Sequence, residues 1–298
     1  MTVILAALDS TVAAGPVMEV AVAMGTLTGA HVEGVHVHVG VEPTGSVTAP
    51  QPVAGHSDVP IHLLEGQVGP SLLAAAGRPE VIAVVIGARD SPHRHHYVGR
   101  TARHILEHAV KPVVVVPPKA TPPGPIDHLL VPLEGTEVSS RPVLEQLLPL
   151  LVTEVELVVL HVFNETTLPT MLDRPVRDLD VLGREFLLHH CPNATRIEFR
   201  TGPIAARVTE VSEDVGTDLV VLSWSQNPSP ERARVVREVL GDSVLPVLLL
   251  PDANAARVES PRLSGSTGDT RPGEPAVGHD PPARPPPGRA ASGMVGPQ

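Results

Sequence analysis

The chain says nearly the same thing twice. Residues 3–9 read VILAALD and residues 129–134 read LLVPLE; GVHVHV at 34–39 is echoed by VVLHVF at 158–163. IAVVIG at 82–87 returns as DLVVLS at 218–223, and KPVVVVP at 111–117 as LPVLLLP at 245–251. Four apolar runs recur in one order at an offset of about 130 residues, which is too long for a solenoid unit and suits a duplicated domain. Whatever fold one half adopts, the other must adopt too. The differences between the copies then carry the functional information.

Each run is short, apolar and without alternation, the pattern of strands buried on both faces of a parallel sheet. Between the runs lie segments of helical spacing, such as Val17, Val20, Ala21, Met24 and Leu27 in 16–28. Copy one reads as strand 2–8, helix 16–28, strand 31–39, a Pro/Gly/Ser/Thr-rich loop at 40–59 and strand 60–65. A helix from Gly69-Pro70 to Ala76, strand 81–87, helix 99–109 and strand 112–117 follow. Copy two reads as strand 128–133, helix 140–152, strand 154–163, helix 176–190 and strand 195–200. It ends with helix 204–214, strand 217–223, helix 231–241 and strand 246–250. Its 176–190 helix, with Val176, Leu179, Leu182 and Phe186 as an apolar stripe, stands where copy one has the 40–59 loop.

Alternating strands and helices imply an α/β architecture: two tandem Rossmann-like domains, each a five-stranded parallel sheet with helices on both faces. The expected domains are 1–118 and 126–251, joined by a stiff, extended Pro-rich linker at 119–125. Residues 252–298 are rich in Pro and Gly and lack aromatics, so they are expected to be disordered. The run PPARPPPGR at 281–289 reads as a solvated tail before it reads as a polyproline ligand. Strands 112–117 and 246–250 are apolar and would otherwise expose an edge, so covering them has a physical motive; a homodimer of whole chains is left open.

A net charge of −11 argues against a general nucleic-acid binder, and 2% aromatic residues argue against stacking platforms for single strands. One cysteine, Cys191, excludes an intrachain disulfide. No basic leader precedes the first apolar run, and no run approaches the length of a membrane span. The expectation is a cytoplasmic protein with no nucleic-acid or membrane partner.

Ligands of parallel sheets sit at the carboxyl ends of the strands. After strand 81–87 come Gly87-Ala88-Arg89-Asp90, then SPHRHHYV, then Gly99-Arg100-Thr101 opening a helix that ends in His108-Ala109 before the Pro112-led strand. With Asp9 ending the first strand, His36-Val37 in the second and the Glu65-Gly66 turn, this order resembles the universal stress protein family, over roughly 1–118 and 126–251. The resemblance implies a stress-response role, an ATP cleft, and an antiparallel meeting of the two fifth strands, here 112–117 and 246–250, as an intrachain pseudo-dimer. Asp9 and Val37 would border the adenine, and Gly87, Gly99, Arg100 and Thr101 would hold the phosphates. Glycines admit backbone N–H groups to phosphate oxygens, and a helix N-terminus favours an anion.

Both copies depart from the family pattern. In copy one Asp90 replaces the second glycine and sets a carboxylate against phosphate, while Arg89, Arg94, Arg100 and Arg103 could offset it. Arg100 takes the Ser/Thr position, with Thr101 supplying a hydroxyl one residue on. In copy two Ser223 and Gln226 replace both glycines, Ala233-Arg234 replace Gly-Ser/Thr, and Glu134 replaces the aspartate. Trp224 is expected to enter the loop and crowd it. Any ATP binding is therefore expected in copy one alone, and weak.

His93, His95 and His96 read as a solvated loop before a metal site, having only Asp90 as a nearby carboxylate. His36 and His161 hold equivalent places, which favours a structural role. His189 and His190 suit the negative end of a helix dipole, and Cys191 reads as an incidental thiol. No GxSxG, HExxH or Walker motif occurs. The chain thus reads as a non-catalytic binding or regulatory module with protein partners, and the alternative is a nucleotide-responsive regulator with at most slow ATP hydrolysis.

Overall fold

The structure is a computed structural model that describes residues 1–9, 14–38, 53–88, 98–120, 124–134, 137–163, 179–227 and 233–252. Copy one contributes β1 (Val3–Leu8), α1 (Ala14–Thr28), β2 (His31–His38), β3 (Ile61–Glu65), α2 (Val68–Ala76), β4 (Val81–Gly87), α3 (Arg100–His108) and β5 (Val113–Val116). Copy two contributes β6 (His128–Pro132), α4 (Glu137–Leu147) with a 3₁₀ turn at Leu148–Leu150, β7 (Glu156–Phe163) and α5 (Leu179–His190). It continues with β8 (Arg196–Thr201), α6 (Ile204–Val215), β9 (Leu219–Trp224), α7 (Arg234–Asp242) and β10 (Val247–Pro251).

These strands form one sheet in the order β3-β2-β1-β4-β5-β10-β9-β6-β7-β8. Pairing is parallel within each copy, and the second half repeats the first in reverse. The seam is antiparallel, with Val115 opposite Val247, Val114 opposite Leu248 and Val113 opposite Leu249. Each of these six side chains is buried, so the two edges expected to cover one another do so within the chain.

The apolar strands have cores on both faces. On one face α2, α3, α6 and α7 pack over side chains such as Leu5, Val84, Val115, Val220 and Leu249. On the other, α1, α4 and α5 cover Ile4, Ala83, Val114, Leu129 and Leu248. The outermost strand β8 carries Arg196, Glu198 and Arg200 in an ion-pair ladder (Arg196–Glu198 2.5 Å, Arg200–Glu198 2.7 Å), and charges of this kind blunt an open sheet edge.

Element order agrees with the reading from sequence, with three differences. Helix α4 begins at Glu137, so Pro142 lies inside it instead of in its first turn. The Gln146 side-chain amide spans from the Pro142 carbonyl (3.2 Å) to the Pro251 carbonyl (3.0 Å), tying that helix to β10. The stretch leading into the linker turns instead of extending: Ala120 N–H donates to Pro117 O at 3.0 Å. Trp224 ends β9 and does not enter the loop, because the β9–β10 ladder runs on to pair it with Pro251. Residues 53–60, the described part of the copy-one loop, carry turns (His56 N–H to Val53 O, 3.0 Å). Residues 39–52 and the 253–298 tail lie outside the described residues.

Candidate functional site

In copy one the strand order reverses between β1 and β4, whose neighbours are β2 on one side and β5 on the other. A crevice opens at such a switch point because the flanking connections leave to opposite faces of the sheet. Here it is a cavity of about 510 Å³, within the usual size of small-molecule sites.

Four segments far apart in sequence build it. Leu8 and Asp9 end β1; His36, Val37 and His38 end β2; Ile86, Gly87 and Ala88 end β4; Val116, Pro117 and Pro118 end β5. Three helices close it. Ala14, Pro16 and Val17 of α1 come from one face of the sheet, and Gly99, Arg100, Thr101 and Ala102 at the start of α3 come from the other, beside Val68 and Leu72 of α2. The six residues singled out from sequence (Asp9, Val37, Gly87, Gly99, Arg100 and Thr101) all line this one cavity.

Local structure explains their placement. A Cβ on Gly87 would stand 3.3 Å from Val17 Cγ2, so glycine lets α1 lie close over the end of β4. Gly99 caps α3 in an extended conformation with no side-chain cap, which leaves the first amides of the helix without a side-chain acceptor from that position. Arg100 and Thr101 are exposed at that end, so a guanidinium and a hydroxyl border the positive pole of the helix. The remaining wall is mostly apolar.

The two strand-end histidines are equivalent. His36 Nδ1 lies 3.1 Å from Leu8 O, and His161 Nδ1 lies 2.9 Å from Leu133 O. A neutral ring donating from Nδ1 keeps Nε2 as an acceptor. The expected structural role is what both contacts describe, since each ring ties the second strand of its copy to the residue at the end of the first. Their surroundings differ. His36 lines the cavity. His161 is buried among Phe163, Phe186 and Phe199, with ring centroids 4.8, 5.0 and 6.2 Å away; these are all the phenylalanines of the chain. Burial holds the His161 ring below its ordinary value, against the pull of the Leu133 carbonyl and with help from the nearby His190.

Copy two is built differently at the matching positions. Glu134 is exposed, and Ser223, the counterpart of Gly87, is exposed. Trp224, the counterpart of Ala88, is 3% exposed and packs in the core on the face that includes α3. Gln226, the counterpart of Asp90, has φ of 59°, so the left-handed backbone that a glycine would favour persists with a side chain on it. Ala233, the counterpart of Gly99, is buried before α7. The fate of Trp224 and Gln226 was not legible in sequence, because their acceptors lie more than a hundred residues away.

Arg89, Asp90, His93, Arg94, His95 and His96 lie outside the described residues. Among the described residues no group of three or more His, Cys, Asp or Glu is placed to hold a metal ion, and no helix is long and apolar enough to cross a membrane. Cys191 is buried, and its thiol is pushed up to about 11 by burial.

Residues 47–117 match the model of the universal stress protein family; that interval contains Gly87, Gly99, Arg100 and Thr101. No curated protein matches the sequence. Among solved structures, a functionally unknown protein from Pseudomonas aeruginosa PAO1 is similar at 13% identity and a TM-score of 0.61, over 87% of this chain and 95% of that one. A universal stress protein from Archaeoglobus fulgidus DSM 4304 is similar at 12% identity and a TM-score of 0.54, over 84% of this chain and 96% of that one. At such identities the likeness is one of fold, and it extends over most of both copies.

Proposed function

Starting from a chain that is universal-stress-protein-like, in tandem form, we propose that it is a stress-response protein acting as a non-catalytic binding and regulatory module. Its domains are 1–118 and 126–251. Its ligand is an adenine nucleotide, held weakly in the copy-one cavity, and copy two holds none. The observation that carries this reading is the convergence of Asp9, Val37, Gly87, Gly99, Arg100 and Thr101 on one cavity at the switch point of the sheet.

The chemistry is that of recognition. Asp9 and Val37 border the end for the base. The uncapped start of α3, Arg100 and Thr101 form an anion-binding end, and Ala88 is small enough to leave the cavity between them open. We propose no proton transfer and no nucleophile. Calorimetric titration of the full chain with Mg-ATP tests the reading, alongside Gly99→Trp and Arg100→Glu. Saturable binding in the parent, lost in Gly99→Trp and weakened at least about tenfold in Arg100→Glu by reversal of a charge on phosphate, supports it. No binding up to millimolar Mg-ATP overturns the nucleotide and leaves a module that works through its surfaces alone.

A further inference from the structure

Helix α3 serves two places at once. Its first residues line the copy-one cavity, and two carbonyls at its carboxyl end are taken by copy two. The final carbonyls of a helix have no partner inside it and need one elsewhere. Ile105 O receives the Ala109 amide at 2.7 Å, and His104 O lies 2.9 Å from His108 Nδ1, both within α3 and its cap. Leu106 O receives the indole N–H of Trp224 at 2.7 Å, and Ala109 O receives the side-chain amide of Gln226 at 2.5 Å. Trp224 ends β9 and Gln226 lies two residues beyond it, where copy two has no glycine cradle.

The two positions are shaped for this reach. Trp224 is 3% exposed and lies in the same core cluster as Ala102, Ile105, Leu106 and Ala109. Its counterpart Ala88 has no side-chain donor and lines the cavity. Gln226 sits at φ 59°, a conformation costly to a residue with a side chain unless its surroundings fix it. The α3 helix of nine residues is about 13 Å long, short enough for its hydrogen-bonded turns to couple its two ends. Fixing one end therefore restricts the other.

We propose that Trp224 and Gln226 are positioning residues for the copy-one cavity: they clamp the carboxyl end of α3 so that Gly99, Arg100 and Thr101 are presented to a ligand. Copy two is then a brace whose former ligand loop grips the helix of its twin. The ligand named here rests on the nucleotide reading above, while the clamp does not.

The test uses the full chain carrying Trp224→Phe, which keeps an aromatic ring and removes the donor, and Gln226→Gly, which suits the backbone and removes the side chain, singly and together. Amide exchange at Arg103 is followed by NMR without ligand, because its N–H donates to Gly99 O at 2.9 Å at the cavity edge. Mg-ATP affinity is measured on the same samples, and exchange in β1 and β4 reports whether the fold stands. The double variant should exchange roughly tenfold faster at Arg103, the scale of losing two hydrogen bonds, with β1 and β4 unchanged and Mg-ATP binding several-fold weaker. Faster exchange confined to 106–109, or unchanged Mg-ATP affinity in a chain that binds it, overturns the clamp. If the parent does not bind Mg-ATP, the nucleotide reading fails on its own. Exchange at Arg103 then decides the clamp, with acceleration supporting it and parent-like exchange overturning it. Should the double variant lose β1 and β4 protection, the Gln226→Gly single variant takes the same measurement.

Discussion

Replacing His161 by Gln should change how stability depends on pH more than it changes stability itself. The ring is buried among three phenylalanines and lies 2.9 Å from Leu133 O through Nδ1. Burial disfavours its charged form, so in the fold it protonates below its ordinary value of 6.5. Unfolded, it protonates near that value. Between the two the unfolded chain binds more protons, and stability therefore rises with pH. The contribution is fully present above about pH 6.5 and is lost as pH falls towards the folded-state value. One proton sets a limiting slope of about 1.4 kcal/mol per pH unit. Glutamine retains an N–H for Leu133 O and does not titrate. Urea unfolding of both proteins at pH 7.5, 6.5 and 5.5 isolates the effect, because every other titrating group is shared. The parent should lose up to about 1.4 kcal/mol relative to His161→Gln between pH 7.5 and 5.5. Parallel profiles for the two proteins would refute the assignment of a buried neutral histidine at this site.

Three further outcomes follow from burial and geometry. Leu130→Ala, at a side chain with no exposed surface in the middle of β6, should lower unfolding free energy by about 2–5 kcal/mol in urea titration, and a loss within a few tenths would mean the site is not packed as described. Cys191, buried with its thiol pushed up to about 11, should resist a disulfide reagent at pH 8 in the native chain and react within minutes in urea; fast native labelling counts against it. Gly87→Val places branched carbon where Val17 Cγ2 would be only 3.3 Å from Cβ. It should weaken Mg-ATP binding at least about tenfold by narrowing the cavity, with a stability loss of about 1–3 kcal/mol from overpacking, and unchanged affinity would place the ligand elsewhere.

Much of the fold was legible because its signals are local. A strand buried on both faces writes itself as an uninterrupted apolar run, and duplication made each run a check on its counterpart. The candidate site was legible for a related reason: strand ends and helix starts are local features, and parallel topology brings them together wherever the order reverses. The helix read at 140–152 begins earlier, at Glu137, and holds Pro142 inside it, and the contact that ties it to β10, from Gln146 to Pro251, is tertiary. Trp224 reads as a loop residue when only the run DLVVLS is visible, but pairing with Pro251 extends the strand to include it. Its partner, Leu106 O, lies 118 residues away, a distance over which no local pattern carries information.

The asymmetry of the two copies is best understood through the single exchange of Ala88 for Trp224. In copy one a methyl at the end of β4 leaves the switch-point cavity open, with glycine before it and an uncapped helix start opposite. In copy two the indole at the matching position crosses to the neighbouring helix, and the glutamine two residues on keeps a glycine-like backbone while donating to the same helix. The side chains of Trp224 and Gln226 at the cradle of copy two thus have contacts of their own. A residue freed from close approach to a ligand can carry a side chain, and a side chain there is well placed to satisfy carbonyls that every helix end leaves unpaired. Because β5 and β10 make the sheet continuous, that grip acts between parts already held in fixed register. In the proposed arrangement the duplicated chain divides labour: one copy keeps room for a ligand, and the other uses its equivalent positions to hold the first in shape.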